Sequence, residues 1–356
     1  MKRAGLLVGA AIVAAQGLLG AQAGDVNKIL ADARAAIGEK KLAALRSFSA
    51  TGQATRVTGD TSSAPTDVEL AFELPDKYMR KDVLAQVMNT TITRTSGFNA
   101  DNPINIIDQP PAGPGMIVIR AGSGGPPPGV PPTPEQEQEQ RKRTLLSARQ
   151  DFARLTLGFL LASPPAYPLQ FAYGGQAESP DGTADIVDVT GEGDFKVRLF
   201  IDTKTHLPLM LSWMAKEPLV MRSFGGPGGA VMTGSAGGTV TGNRTVTYGG
   251  GSGQVATADT PGKKPGTPPE GQVKQTPTPE DRDKMMKQLE EQRKEAEAKL
   301  RTVEYRIYYG DYQDADGVKV PRRIQRSIDG KPTEETVFDK VKINGKIDPK
   351  KFDAGK

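Results

Sequence analysis

The chain has 356 residues, with 46 basic and 42 acidic side chains and a formal net charge of +4. So even a balance leaves no electrostatic footprint for nucleic acid. With no cysteine and a single histidine, His206, it also excludes disulfides, thiolate nucleophiles, thiolate metal sites and paired-histidine metal motifs.

The first 23 residues read as a secretory signal peptide. Lys2 and Arg3 precede an apolar run from Leu6 to Leu19, and Ala21-Gln22-Ala23 supplies the small-x-small cleavage pattern. The run is too short for a stable membrane span, and no later stretch approaches the ~20 apolar residues a spanning helix needs. The expected product begins near Gly24, carries no cysteine for lipid attachment, and works as a soluble protein of the periplasm.

Asp25 is placed to cap a first helix with apolar positions Ile29, Leu30, Ala33 and Ile37 and a stop at Gly38. A short helical stretch around Leu42 and Leu45 leads into predicted strands at 47–57, 66–74, 78–87 and 90–97. In the second of these Val68, Leu70 and Phe72 share one face, as in a half-buried antiparallel sheet. A helix predicted over 135–162 lines up Leu145, Phe152, Leu155, Phe159 and Leu160 opposite Arg141, Arg143, Arg149 and Gln150. Its last turns, Leu155–Leu161, are apolar on nearly every side, so they require cover.

Further strands follow at Leu169–Tyr173, Ile186–Val189, Phe195–Ile201, Leu207–Trp213, Val303–Tyr309, Val318–Ser327 and Thr333–Val341, joined by short turns such as Gly191–Asp194 and Asp329–Lys331. Consecutive strands with short turns make an antiparallel meander. The 41 glycines and 28 prolines concentrate in 108–134 and 223–280, which read as insertions within one domain over 24–353. A charged helix expected over 280–301 returns the chain from the second insertion.

Three local patterns carry no chemistry on this reading. His206 lies in a turn with no Gly-x-Ser-x-Gly elbow to suggest a nucleophile. Asp314, Asp316 and Gly317 mark a hairpin turn, since a calcium loop in that frame would place Arg323 where a bidentate glutamate is required. The Lys263-Lys264 glycine segment has the wrong spacing for a phosphate loop. No cofactor and no metal is implied. The alternation suggests no polar cluster inside a concavity, which an enzyme would need.

Several stretches together resemble the LolA/LolB-like superfamily of outer-membrane lipoprotein carriers and their periplasmic relatives. They are Ile37 to Leu42, Ser47 to Gln53, Phe72 to Arg80 with its Pro75-x-Lys77 turn, Phe200 to Pro208 with an Asp-x-x-Thr-x-Leu-Pro turn, and Asp311-Tyr312 to Pro321-Arg322. The resemblance implies an α+β fold: a strongly curved antiparallel sheet, an incomplete barrel, with helices covering its concave face. It further implies a carrier that holds lipid or lipoprotein acyl chains in an apolar interior. The expected lining is Phe72, Leu155, Phe159, Phe171, Phe195, Val197, Leu199, Leu209, Leu211, Trp213, Tyr305 and Ile307. Arg80 is the candidate functional arginine, by its place on an early strand. The alternative of another class is an envelope interaction or sensor module that meets a protein partner through the same fold.

Overall fold

The computed structural model describes residues 25–87, 90–108, 133–180, 182–217 and 300–353, together with 231–232, 246–247, 291 and 298. The expected signal peptide, most of both insertions and nearly all of the 280–301 helix lie outside the described residues.

Helix α1 (Val26–Ile37) starts where the Asp25 carboxylate accepts from the Asn27 backbone N–H at 2.9 Å and stops at Gly38, whose φ is 125°. A Cβ on Gly38 would stand 2.2 Å from the Gly317 carbonyl oxygen, so the position requires glycine twice over. Helix α2 (Glu39–Ala43) leads into strands β1 (Ser47–Thr58), β2 (Thr61–Ser62), β3 (Thr66–Glu73), β4 (Lys77–Val87), β5 (Thr90–Asn99) and β6 (Asn102–Asp108). Helix α3 (Pro134–Leu157) follows, then β7 (Leu169–Ser179), β8 (Gly182–Gly191), β9 (Phe195–Asp202) and β10 (Pro208–Lys216). A two-residue ribbon, β11 (Val231–Met232) with β12 (Val246–Thr247), precedes β13 (Thr302–Ala315), β14 (Val318–Ile328), β15 (Lys331–Ile343) and a 3-10 turn at Pro349–Phe352.

Thirteen strands form one antiparallel sheet in the order β6-β5-β4-β3-β1-β15-β14-β13-β10-β9-β8-β7, with β2 pairing only β1. The edges β6 and β7 do not pair with each other among the described residues, so the barrel is incomplete. Its curvature follows from one helix. Phe152 of α3 lies 5.6 Å from the Phe98 ring on β5, while Arg154 lies 5.2 Å from the Phe195 ring on β9. Those strands are eight steps apart in the sheet, about 38 Å if it were flat at ~4.8 Å per step. Two side chains so close on one helix reach both strands only because the sheet wraps around them.

The concave side holds one large core cluster that runs from Leu30 and Phe48 through Phe72, Phe98 and Phe152 to Leu211 and Phe338. The convex side of β3 to β6 carries a smaller cluster of Ala71, Met79, Ile104, Ile347 and Phe352, where the C-terminal turn seals the outer face. A third cluster, with Ile186, Phe200 and Met210, lies on β8 to β10.

Three differences from the sequence reading have physical causes. The strand β6 falls in a stretch to which the sequence reading gave no element, and its edge position tolerates Pro103. Helix α3 ends at Leu157 rather than 162, at Gly158, a weak helix former that the ring of Tyr309 requires there, since a Cβ would meet it at 2.2 Å. Gln150 does not face solvent with the arginines. It is 8% exposed and its amide donates to the Glu192 and Gly193 carbonyls at 3.2 and 3.1 Å. The helix start is as its residues dictate, a capping box between Thr133 and Gln136 with Pro134 in the first turn.

Phe152 is the hub of the aromatic packing, with Tyr78, Phe72 and Phe98 at 5.0, 5.3 and 5.6 Å between ring centroids. We expect Phe152→Ala to lower the unfolding free energy by about 3–5 kcal/mol, read from the urea midpoint.

Candidate ligand trough

The concave face is a trough walled by alternate residues of each strand. Phe48 and Ala50 on β1, Val68, Leu70 and Phe72 on β3, Leu211 and Trp213 on β10, and Tyr305, Ile307 and Tyr309 on β13 all turn inward and are buried. The end of α3 and the turn after it lie along this floor. Phe159 stacks on Phe48 and Phe72 at 5.4 and 6.4 Å, and Leu155, Leu157, Leu160 and Leu161 are buried beside it. This segment fills the trough as a plug. A cavity of about 10 Å³ remains between Leu155 and the strands, lined by Val68, Leu70, Arg80, Ile324, Arg326, Thr336 and Phe338. That is room for about one water and far below what a lipid chain occupies.

The polar ties of the plug are to its backbone carbonyls. The Tyr309 hydroxyl donates to the Arg154 carbonyl at 2.9 Å. The Tyr312 hydroxyl lies 2.8 Å from the Pro208 carbonyl and 3.2 Å from that of Gly158, so its one proton serves either. From α1, the Arg34 guanidinium donates twice to the Leu161 carbonyl, at 2.9 and 2.6 Å. The Arg154 side chain lies between Trp213 at 4.8 Å and Phe195 at 5.2 Å, with Trp213 itself stacked on Tyr305 at 5.4 Å. Burial of the Tyr309 hydroxyl pushes it well above its ordinary value, so it stays a donor at any physiological pH.

Beneath the plug lies a layer of buried charge. Arg80 on β4 donates from Nε and Nη2 to Asp82 at 2.8–3.1 Å and from Nη2 to Glu334 on β15 at 2.9 Å. Arg56 of β1 reaches Asp82 at 3.2 Å and Glu334 at 3.6 Å, and Arg326 of β14 reaches Glu334 at 3.4 Å. The register produces this, setting Glu334 opposite both Arg56 and Arg326, and Asp82 opposite Arg94 of β5. Burial alone would raise the Glu334 carboxyl. The guanidiniums of Arg80, Arg326 and Arg56 outweigh it and hold the group at about 2. Asp151 of α3 faces the same layer and pairs with Arg154 at 3.3 Å. There burial wins, and Asp151 is raised to about 6 against the pull of Arg154, Arg326, Arg94 and Arg80.

Most of the expected lining is where the alternation places it. Phe72, Leu155, Phe159, Phe195, Val197, Leu199, Leu211, Trp213, Tyr305 and Ile307 are buried in the trough cluster, and Phe171 packs partly buried against it. Leu209 is a correction. It is 41% exposed because β10 bulges against β9 between Pro208 and Met210, which turns it out of the inward series. Arg80 is buried in the trough, within the ionic layer rather than against the apolar floor. That layer is a second correction, since the alternation was read as placing no polar cluster inside. The signal was the inward triplet Tyr78-x-Arg80-x-Asp82 on β4, but Glu334 needed the register to join it. His206 lies in the β9–β10 turn with φ 55°, and Asp314 caps the β13–β14 turn by accepting from the Gly317 N–H at 3.1 Å. Among the described residues no helix is long and apolar enough to cross a membrane.

No family model and no curated protein matches the chain. Solved structures do. A LolA superfamily protein from Nitrosomonas europaea is similar at 9% identity and TM-score 0.40, covering 94% of this chain and 98% of its own. A DUF1329 family protein from Desulfovibrio piger is similar at 8% identity and TM-score 0.42, over 92% and 97%. A putative outer membrane lipoprotein-sorting protein domain from Vibrio parahaemolyticus is similar at 9% identity and TM-score 0.38, again over 92% and 97%. At these values nothing about a ligand comes with the likeness.

Glu334→Gln leaves Arg80, Arg56 and Arg326 short of a buried carboxylate and should cost about 3–5 kcal/mol at pH 7. Because the folded carboxyl is held at about 2, below its ordinary 4.5, its stabilisation is complete above that ordinary value and lost as pH falls. The gap between wild type and variant in urea unfolding should therefore close between about pH 4.5 and 2.

Proposed function

We propose that this protein is a periplasmic carrier that takes a lipid or lipoprotein acyl chain into its trough by exchange with the α3 plug. The observation that carries the reading is the match between plug and floor. An apolar segment of the chain's own, Leu155–Leu161, occupies a continuous apolar groove, and its polar ties there are hydrogen bonds to its backbone carbonyls. Such ties are reversible without loss of any buried charge pair.

The magnitudes make exchange feasible. Withdrawing five buried apolar side chains costs roughly 7–15 kcal/mol at ~1.5–3 kcal/mol each. A sixteen-carbon chain returns about 12 kcal/mol at ~0.8 kcal/mol per methylene. The two nearly balance, so the closed trough remains the resting state and an acyl chain displaces it without an external source of energy. The carboxylates of Asp82 and Glu334 are engaged by guanidiniums, which suits an ion-pair layer better than a general base.

The small free volume in the closed state favours one competing reading, an exported scaffold whose trough never opens and which meets a protein partner instead. Titration with a fluorescent fatty acid separates the two. The carrier reading expects saturable uptake by delipidated protein. Gly158→Ala drives a methyl into the Tyr309 ring and should loosen the plug. Destabilising the closed state by about 1.4 kcal/mol tightens apparent affinity about tenfold. No saturable uptake by either protein, with folding verified by circular dichroism, overturns it.

A further inference from the structure

The ionic layer is not self-neutralising. Five guanidiniums, from Arg56, Arg80, Arg94, Arg154 and Arg326, face three carboxylates, from Asp82, Asp151 and Glu334. The oxygens of Asp82 and Glu334 already accept from Arg80 and Arg56. Arg94 stands opposite Asp82 in the β4–β5 ladder, but its Nε is buried with no hydrogen-bond partner among the described residues. A buried guanidinium nitrogen left so is costly, and an arriving oxyanion would relieve it.

The layer also adjoins a small free volume at the plug. The cavity of about 10 Å³ has Arg80, Arg326 and Thr336 on its polar wall and Leu155 of the plug on the other. Withdrawal of Leu155 therefore enlarges a space that is basic at one side and continuous with the apolar groove at the other. The layer is not wholly sealed from solvent, since the side chains of Arg56, Arg326 and Asp151 keep 18%, 19% and 25% exposure.

We infer that the arginine layer is an oxyanion site, which holds the phosphate or carboxylate headgroup of an amphiphile while its hydrocarbon chain takes the place of the plug. This inference rests on the carrier reading and adds to it an orientation: head at Arg80, Arg94 and Arg326, tail along Phe48 and Phe72, the rings that Phe159 of the plug now covers. It also adds a preference for anionic over neutral amphiphiles. The single tryptophan, Trp213, stacked on Tyr305 and covered by Arg154, is a built-in reporter.

The test titrates the full-length protein with dodecyl phosphate, dodecanol and inorganic phosphate, reading Trp213 fluorescence and the thermal midpoint. The expected result is dodecyl phosphate bound at least about tenfold more tightly than dodecanol. Arg94→Gln should shrink that ratio below about threefold, and Arg94→Lys, which keeps the charge, should retain most of it. Equal affinities in wild type overturn the oxyanion site while leaving the carrier reading intact. So does an undiminished ratio in a folded Arg94→Gln. Should neither amphiphile bind, the carrier reading fails, and inorganic phosphate decides the rest. A midpoint raised in wild type and not in Arg94→Gln supports a free-anion site, and an unchanged midpoint overturns it. The wild-type comparison stands without any variant, so a variant that does not fold leaves the inference falsifiable.

Discussion

Everything in this structure depends on one helix end meeting two distant parts of the same sheet. Phe152 packs among rings of β3, β4 and β5 while Arg154 lies between rings of β9 and β10. A wide sheet has no reason of its own to curl so far, since twist alone gives an open propeller. Burial of the helix end supplies the reason, because each strand that bends toward it removes apolar surface from water. The curl in turn makes one continuous core out of strands from both ends of the chain. A chain without disulfides gains its long-range closure this way.

The same arrangement sets up a tension inside the trough. The plug is apolar in its side chains and tied through its carbonyls, whereas the layer beside it is a set of charges that the protein has withdrawn from water. The two carboxylates differ in consequence. Glu334, among three guanidiniums, strengthens folding as pH rises through its own low range. Asp151, held up to about 6 by burial, acts in the opposite sense: its charge is better accommodated in the unfolded chain, so its contribution weakens as pH rises from about 4 to 6. The carboxylate on α3 is thus the less comfortable one, and the carboxylate on the wall is the anchored one.

Much of the fold was legible in the residues. The hairpin turns at Asp316-Gly317 and Asp329-Gly330, the alternation in β3 and β9, the Asp25 cap and the Gly38 stop are local features, and each settles its own element without help from elsewhere. Most of the apolar lining followed, because period-two alternation states which residues share a face. What failed was set by neighbours. The bulge that turns Leu209 outward depends on how β10 pairs with β9, and the need for glycine at the end of α3 depends on the Tyr309 ring, far away in the chain. The strand β6, to which the sequence reading gave no element, carries a proline that its edge position tolerates.

The residues by themselves determined an antiparallel meander with helices, the turn positions, and an apolar stripe from Leu155 to Leu161 that had to be covered. Only the tertiary structure decided that this stripe lies in the trough and leaves it nearly full, and that Arg56, Arg80, Arg94 and Arg326 meet Asp82 and Glu334 beneath it. The physical reason is range. Turn chemistry and periodicity act between residues a few positions apart. Strand register, the filling of a concavity and the meeting of Arg80 with Glu334 across 254 residues of chain exist only once the sheet has closed around its helix.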